Sequence, residues 1–101
     1  MANSVGNQGD LLSGSKAVTS AGTAVALATD GLYGSLMVRA KYANTGYIFI
    51  GGEDVDSSTN EGLAAGDSIL INPRPGKAIQ LTDIYIDSAV SGEGVDFYAS
   101  F

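Results

Sequence analysis

Alternating apolar and polar positions mark two clear β-strands. In residues 35–43 every second position is apolar, and Arg39 and Lys41 fall on the opposite face. A period of two is the signature of a strand with one buried face. Residues 95–101 alternate in the same way, so the chain is predicted to end on a strand.

A β-hairpin is predicted where the first of these strands ends. Asn44, Thr45 and Gly46 separate it from a second β-rich run, residues 47–50. Three-residue connections that end in Gly are typical of hairpins whose Gly adopts the left-handed conformation. We therefore expect Gly46 to have a positive φ and the two strands to pair.

Other strands are shorter and their boundaries are less defined. Residues 23–27 favour a strand, although their Ala content leaves a short helix open. Residues 68–71 form a further strand, and the two prolines in residues 72–76 mark the turn after it. Residues 79–81 and 84–86 are two strands or one bent strand.

The N-terminal residues have a different character. Residues 1–16 are mostly Gly, Ser, Asn and Gln, and their only bulky pair is Leu11 and Leu12. This composition predicts a flexible arm. The arm either frays or becomes ordered on a neighbouring subunit, with the two leucines as its anchor. The remaining residues, 17–101, form the predicted folded domain.

The spacing of strands and turns indicates the fold class. About six to eight short strands at even spacing are typical of β-sandwiches and jelly rolls. The chain is therefore expected to be an all-β protein, a small β-sandwich or jelly-roll-like domain with a flexible N-terminal arm. Phe49, Phe97 and Phe101 are the expected core aromatics, since aromatic side chains bury the most area.

Charge and composition exclude several classes of function. The net charge is −6 and only five residues are Lys or Arg, so neither nucleic acid nor an anionic membrane is an expected partner. Neither a signal peptide nor a membrane-spanning segment is expected. Charged residues make up 16% of the chain, whereas about 25% is typical. A surface poor in charge either favours packing against neighbouring molecules or belongs to an ordinary neutral β-domain.

The sequence contains few of the residue types that support catalysis or metal binding. The chain contains no Cys and no His, which removes the usual zinc ligands and the usual nucleophile–base pairs. The acidic loop at residues 51–67 fails the calcium-loop pattern, because counting from Asp54 places Thr59 sixth and Ala65 twelfth. A solvated loop is expected there, with a weak calcium site as the alternative. We expect no enzyme activity and no cofactor.

Contact residues are predicted on the strand face that carries the cations. Arg39 and Lys41 either pair with acids of a partner or are solvated. Together with Leu11 and Leu12 they are the candidate contacts to a partner molecule or a second subunit. The tyrosines belong to the core or an interface, or they stack on sugar rings.

Four segments resemble the small β-sandwich virion proteins of tailed bacteriophages. They are residues 38–51 (VRAKYANTGYIFIG), 63–69 (LAAGDSI), 81–87 (LTDIYID) and 91–95 (SGEGV). The resemblance covers about residues 17–101. It implies a place on the virion and brings no catalytic residues with it.

The resemblance implies one leading function and one alternative. The leading expectation is a capsid decoration (cement) protein that binds the major capsid protein on the outside of the head and stabilises it. Such a protein is made in the host cytoplasm and commonly forms a homotrimer. The alternative is a receptor- or carbohydrate-binding module of a tail tip or fibre.

Overall fold

A computed structural model describes residues 11–29, 31–56 and 62–100 of the chain. Within these ranges, nine β-strands and one single-turn 3-10 helix, Leu81–Asp83, form the regular secondary structure. This confirms the all-β prediction. The strands are β1 (Leu11–Ala17), β2 (Val25–Ala26), β3 (Leu32–Tyr33), β4 (Ser35–Ala40), β5 (Ile48–Gly51), β6 (Ser68–Ile71), β7 (Ile79–Gln80), β8 (Tyr85–Ser88) and β9 (Gly94–Ser100).

The strands form three antiparallel sheets. A four-stranded sheet has the order β1-β9-β4-β6, a three-stranded sheet has the order β2-β8-β5, and β3 pairs with β7. An isolated bridge between Leu63 and Ile48 extends the three-stranded sheet beyond β5. Each sheet therefore combines strands from distant parts of the chain.

The strand order is that of a jelly roll. Eight strands remain when the short β3–β7 pair is set aside and Leu63 is counted as a strand beyond β5. Numbered one to eight along the chain, they are β1, β2, β4, β5, Leu63, β6, β8 and β9. In these numbers the two sheets of the described residues have the orders 1-8-3-6 and 2-7-4-5. These are the two sheets of a jelly roll, in which most connections cross from one sheet to the other. The predicted jelly-roll-like sandwich is confirmed.

The core lies between the sheets. Every second side chain of β4 and β9 is buried, which confirms the alternation expected from the sequence. These side chains pack against residues of the three-stranded sheet, such as Ile48 and Ile86, and against Leu81 of the 3-10 turn. Burial of one such side chain contributes about 1.5–3 kcal/mol. Phe49 and Phe97 are buried as predicted, whereas Phe101 lies outside the described residues.

The prediction of a flexible arm is wrong for residues 11–16. These residues belong to β1, which pairs with β9 from Leu11 opposite Ser100 to Ala17 opposite Gly94. Polar and glycine-rich composition is compatible with an edge strand, because backbone hydrogen bonds to the neighbouring strand do not depend on side chains. Residues 1–10, the rest of the predicted arm, lie outside the described residues.

The predicted hairpin after residue 43 is also wrong. β4 ends at Ala40, both of its edges are occupied by β6 and β9, and β5 lies in the other sheet. Residues 41–47 therefore cross between sheets instead of turning back. Gly46 is not among the glycines with positive φ, because this crossing requires no left-handed turn there.

The remaining strand predictions are largely resolved. β2 shows that the stretch at 23–27 contains a strand and no helix. The stretches at 79–81 and 84–86 belong to separate strands, because β7 and β8 lie in different sheets. The loop after β5 is less polar than expected, since Val55 is buried.

Candidate interaction surfaces

The four-stranded sheet exposes one of its faces. Residues directly opposite each other in antiparallel strands share a face, so the register defines this surface. One row across the sheet consists of Ser13, Tyr98, Met37 and Leu70. The next row consists of Ser15, Asp96, Arg39 and Ser68. We call this surface, which also includes Leu11, the outer face.

The outer face carries exposed apolar side chains beside a polar row. Leu11 is 67% exposed and Leu70 is 64% exposed, and Met37 and Tyr98 lie half-buried between them. The solvent face of an antiparallel sheet is normally polar. Exposed apolar side chains on a solvent face make this face the candidate interaction surface.

Arg39 lies on the outer face between two aromatic rings. Its guanidinium carbon is 5.1 Å from the ring centroid of Tyr42 and 6.0 Å from that of Tyr98. Its Nη2 also donates a hydrogen bond of 3.4 Å to the Tyr98 hydroxyl. These contacts hold the cation in one orientation, since a ring face attracts positive charge.

Lys41 is already paired within the chain. It follows the end of β4, and its Nζ lies 2.8 Å from Asp96 Oδ1 of β9. Both side chains are partly exposed, so the pair contributes less than about 1 kcal/mol to stability. The sequence left open whether Lys41 pairs with a partner's acid, and here its acid comes from the neighbouring strand.

The four predicted contact residues do not form one cluster. Leu11 lies on the outer face, whereas Leu12 is opposite the buried Ala99 and belongs to the other face of β1. Leu11 is level with Ser100 of β9, and Arg39 is level with Asp96. Four residues along a strand separate the two levels by about 13 Å.

Side-chain hydrogen bonds join the crossing at residues 41–47 to the turn before β9. Glu93 accepts hydrogen bonds from the backbone N–H of Thr45 at 2.7 Å, the Thr45 hydroxyl at 2.8 Å and the N–H of Gly46 at 2.9 Å. The Asn44 amide donates to the Gly94 carbonyl at 2.8 Å. These side chains take the place of the missing hairpin bonds.

The hydrogen bonds also set the protonation of Glu93. The backbone N–H of Gly46 lowers its pKa most, followed by the N–H of Thr45, and the Thr45 hydroxyl adds to the effect. Partial desolvation opposes them but is smaller than the first two. Hydrogen bonds to the ionised form favour that form, so Glu93 remains a carboxylate below its ordinary pKa.

The Glu93→Gln change is expected to remove part of the acid sensitivity of the fold. Because folding lowers the pKa of Glu93, its contribution to stability is present above the ordinary value of 4.5 and is lost as the pH falls through the folded-state pKa. Urea unfolding at a series of pH values should show a shallower loss below 4.5 for the variant than for the wild type. The exposed Glu53→Gln is the control, and identical pH profiles for all three proteins would contradict this role.

A small pocket lies beside the crossing. It has a volume of about 270 Å³ and is lined by Asn44, Thr45, Gly46, Tyr47, Ala64 and Ala65. Tyr47 is 56% exposed, and a Cβ placed on Gly62 would lie 2.5 Å from the Tyr47 Cβ. Tyr42, at the other end of residues 62–66, is 73% exposed, and its ring lies against Gly66.

Neither a cluster of metal-binding side chains nor a membrane-spanning helix is found in the described part of the chain. In residues 11–29, 31–56 and 62–100, no three acidic side chains come together as a metal site would require. The same residues contain no helix with the length and hydropathy needed to span a membrane. Part of the acidic loop, residues 57–61, lies outside the described residues, so the solvated loop and its calcium alternative stay predictions.

Comparison with protein-family models, with curated proteins and with solved structures gave no match to this chain.

Sequence reasoning missed Leu70 as a surface residue. A signal was present, because Leu70 lies in a run of consecutive apolar residues within a strand. Alternation forces at least one member of such a run to the outside. The pairing of Lys41 with Asp96 had no such signal, because it depends on the register between β4 and β9.

Proposed function

We propose that the chain is a structural protein of a tailed-bacteriophage virion, a capsid decoration protein that binds the outside of the head and stabilises it. The observation that carries the proposal is the apolar row of Tyr98, Met37 and Leu70 on the outer face of the four-stranded sheet. The resemblance of residues 17–101 to small virion proteins supports it, and jelly rolls are common among viral coat proteins. The fold alone does not determine the role.

The composition of the outer face fits a protein partner. Tyr, Met and Arg are enriched in the buried centres of protein interfaces, and Met37, Arg39 and Tyr98 occupy the middle of this face. Leu11 and Leu70 lie at its two edge strands. The proposed partner surface belongs to the major capsid protein, with an acidic group opposite Arg39.

The edges of the same sheet provide a route to self-association. β1 and β6 each have one side without a strand partner among the described residues. Exposed edges tend to pair with other chains. In the proposed trimer, β1 of one subunit lies near β6 of the next, a head-to-tail contact that a threefold axis closes. Weak contacts repeated over a capsid lattice add through multivalency.

The N-terminal residues extend the contact in this proposal. Residues 1–10 directly precede β1, whose first residues are the exposed Leu11 and Leu12. We propose that they reach the capsid or a neighbouring subunit. A truncation that tests this role must stop at residue 10, because removal of residues 1–16 would take away all of β1 except Ala17.

The Leu70→Glu change is expected to weaken binding to heads that lack this protein by at least about tenfold, since a carboxylate would be buried at the interface. Cosedimentation with purified heads measures the effect. Leu32→Glu is the matched control, because Leu32 is 50% exposed on β3, outside the four-stranded sheet. Equal binding by the two folded variants would contradict the role of the outer face.

A second candidate function is favoured by a separate observation. The pocket beside Tyr47 offers an aromatic wall and polar groups, as a receptor- or carbohydrate-binding module of a tail tip or fibre would need. Jelly rolls are also found in lectins. This candidate would place the protein at the tail in few copies, whereas decoration places it on the head.

A further inference from the structure

We propose that the pocket beside Tyr47 binds a neutral hexose residue of a glycan. One wall is formed by residues 44–47 and the other by Ala64 and Ala65. Its volume, about 270 Å³, is just below the range of roughly 300–1,000 Å³ typical of small-molecule sites. The pocket therefore suits one small ring, with the rest of the ligand in solvent.

The first wall is held in position before any ligand arrives. Glu93 fixes Thr45 and Gly46 through three hydrogen bonds. Gly46 itself lies close to the chain that follows β8, since an added Cβ would be 2.9 Å from Val90 Cγ2. Because these contacts already fix the first wall, a ligand that binds there loses little affinity to ordering of the protein.

The second wall is anchored at both of its ends. Leu63 exchanges two backbone hydrogen bonds with Ile48, of 2.7 and 3.0 Å. Gly66 donates its N–H to the Ala40 carbonyl at 2.9 Å, and Asp67 donates its N–H to the Ala64 carbonyl at 2.9 Å. The spacing between the walls is thus set by both sheets of the jelly roll, and the pocket is preformed.

The lining of the pocket disfavours charged ligands and favours a ring that has an apolar face and polar groups at its edge. No Lys or Arg lines the pocket, and the chain has a net charge of −6, so an anion finds no counter-charge. No Asp or Glu lines the pocket either, so a cation finds no carboxylate within it. Ala64 and Ala65 provide apolar contact, and Tyr47 lines the pocket beside them.

A neutral hexose matches these groups. The C–H face of the sugar ring is apolar and slightly positive, and it packs on the negative face of an aromatic ring such as Tyr47. Its hydroxyl groups need acceptors at the rim. The Thr45 hydroxyl donates to Glu93 and keeps its lone pairs for a sugar O–H, and the Asn44 carbonyl oxygen has a second lone pair beyond its contact with Gly94.

This site deepens the second candidate function and does not require capsid decoration. A ligand of about a dozen heavy atoms, at efficiencies usual for small ligands, gives a dissociation constant of about 1 mM. Binding of that strength becomes useful when many copies act together on one surface. The contact residues of the outer face are separate from the pocket lining.

The test is an NMR titration of the full, isotopically labelled chain with the methyl glycosides of glucose, galactose, mannose and N-acetylglucosamine. At least one is expected to shift the amide signals of residues 44–47 and 64–66 in a saturable way, at millimolar concentration. The Tyr47→Ala variant should bind at least tenfold more weakly, and Tyr47→Phe should stay within about threefold of the wild type, since stacking needs only the ring.

Several outcomes would overturn the site. They are the absence of saturable shifts with all four sugars, shifts confined to other residues, and unchanged binding by Tyr47→Ala with a wild-type spectrum elsewhere. The Leu70→Glu variant is the matched control and should bind sugar as the wild type does. If no sugar binds, but Leu70→Glu loses capsid binding and Tyr47→Ala keeps it, the sugar site is wrong and the decoration proposal stands.

Discussion

Replacing Gly94 by Ala is expected to lower the free energy of unfolding by about 3 kcal/mol, the upper end of the usual cost of overpacking. An added Cβ would meet the Lys16 carbonyl oxygen and lie 2.7 Å from Ala17 Cα and 2.8 Å from the Lys16 carbonyl carbon. These atoms are backbone, so no rotamer change can relieve the contact. β1 must move away from β9, and the hydrogen bonds between the two strands are lost.

Urea unfolding followed by circular dichroism measures this loss, and hydrogen exchange locates it. The amides of β1 should lose protection before those of β4 and β8. Gly52→Ala is the control, because an added Cβ there meets only Asp54 Oδ1 at 3.4 Å, and we expect a change within about 0.5 kcal/mol. A Gly94→Ala variant as stable as the control would show that β1 does not pack against Gly94.

The second large effect concerns the core between the sheets. Ile86 is fully buried at the centre of the three-stranded sheet, between Val25 and Ile50. Ile86→Ala is expected to lower the free energy of unfolding by about 3–4 kcal/mol, from lost transfer energy and the cavity left behind. Ile86→Val, which removes one methylene group, should cost about 1 kcal/mol.

The same unfolding experiment with Leu70→Ala gives the comparison. Leu70 is 64% exposed, so its truncation should change stability by about 0.5 kcal/mol or less. Comparison of the losses in free energy of unfolding for Ile86→Ala and Leu70→Ala shows which of the two side chains lies in the core. A cost below about 1 kcal/mol for Ile86→Ala would contradict the packing of β8 against the four-stranded sheet.

The parts of the fold that the sequence predicts are those with a local signal. The alternation in β4 and β9 is visible because each strand has one buried and one exposed face. β1 has no such signal, because its partner β9 lies at the other end of the chain and supplies backbone bonds rather than side-chain packing. Composition alone therefore suggested an arm through residue 16.

The hairpin error has a topological cause. Asn44, Thr45 and Gly46 have the composition of a hairpin turn, and local rules cannot distinguish a turn from a crossing between sheets. In a jelly roll most consecutive strands lie in different sheets. The deciding contacts are those of Glu93 and Gly94 with residues 44–46, and they join positions about fifty residues apart along the chain.

The candidate surfaces were predictable in part. The period of β4 placed Arg39 on the exposed face, and the structure has it there between Tyr42 and Tyr98. The pocket beside Tyr47 depends on the approach of Ala64 and Ala65 to the crossing, which follows from the bridge between Leu63 and Ile48. No pattern in the sequence encodes that approach.

We propose that this chain is a decoration protein of a phage head. The most direct test counts and locates it on purified virions of the phage that encodes it, by quantitative mass spectrometry and gold-labelled antibody. We expect labels spread over the head, in copy numbers comparable to those of the major capsid protein. A few copies confined to the tail tip, or no copies on the virion, would contradict it.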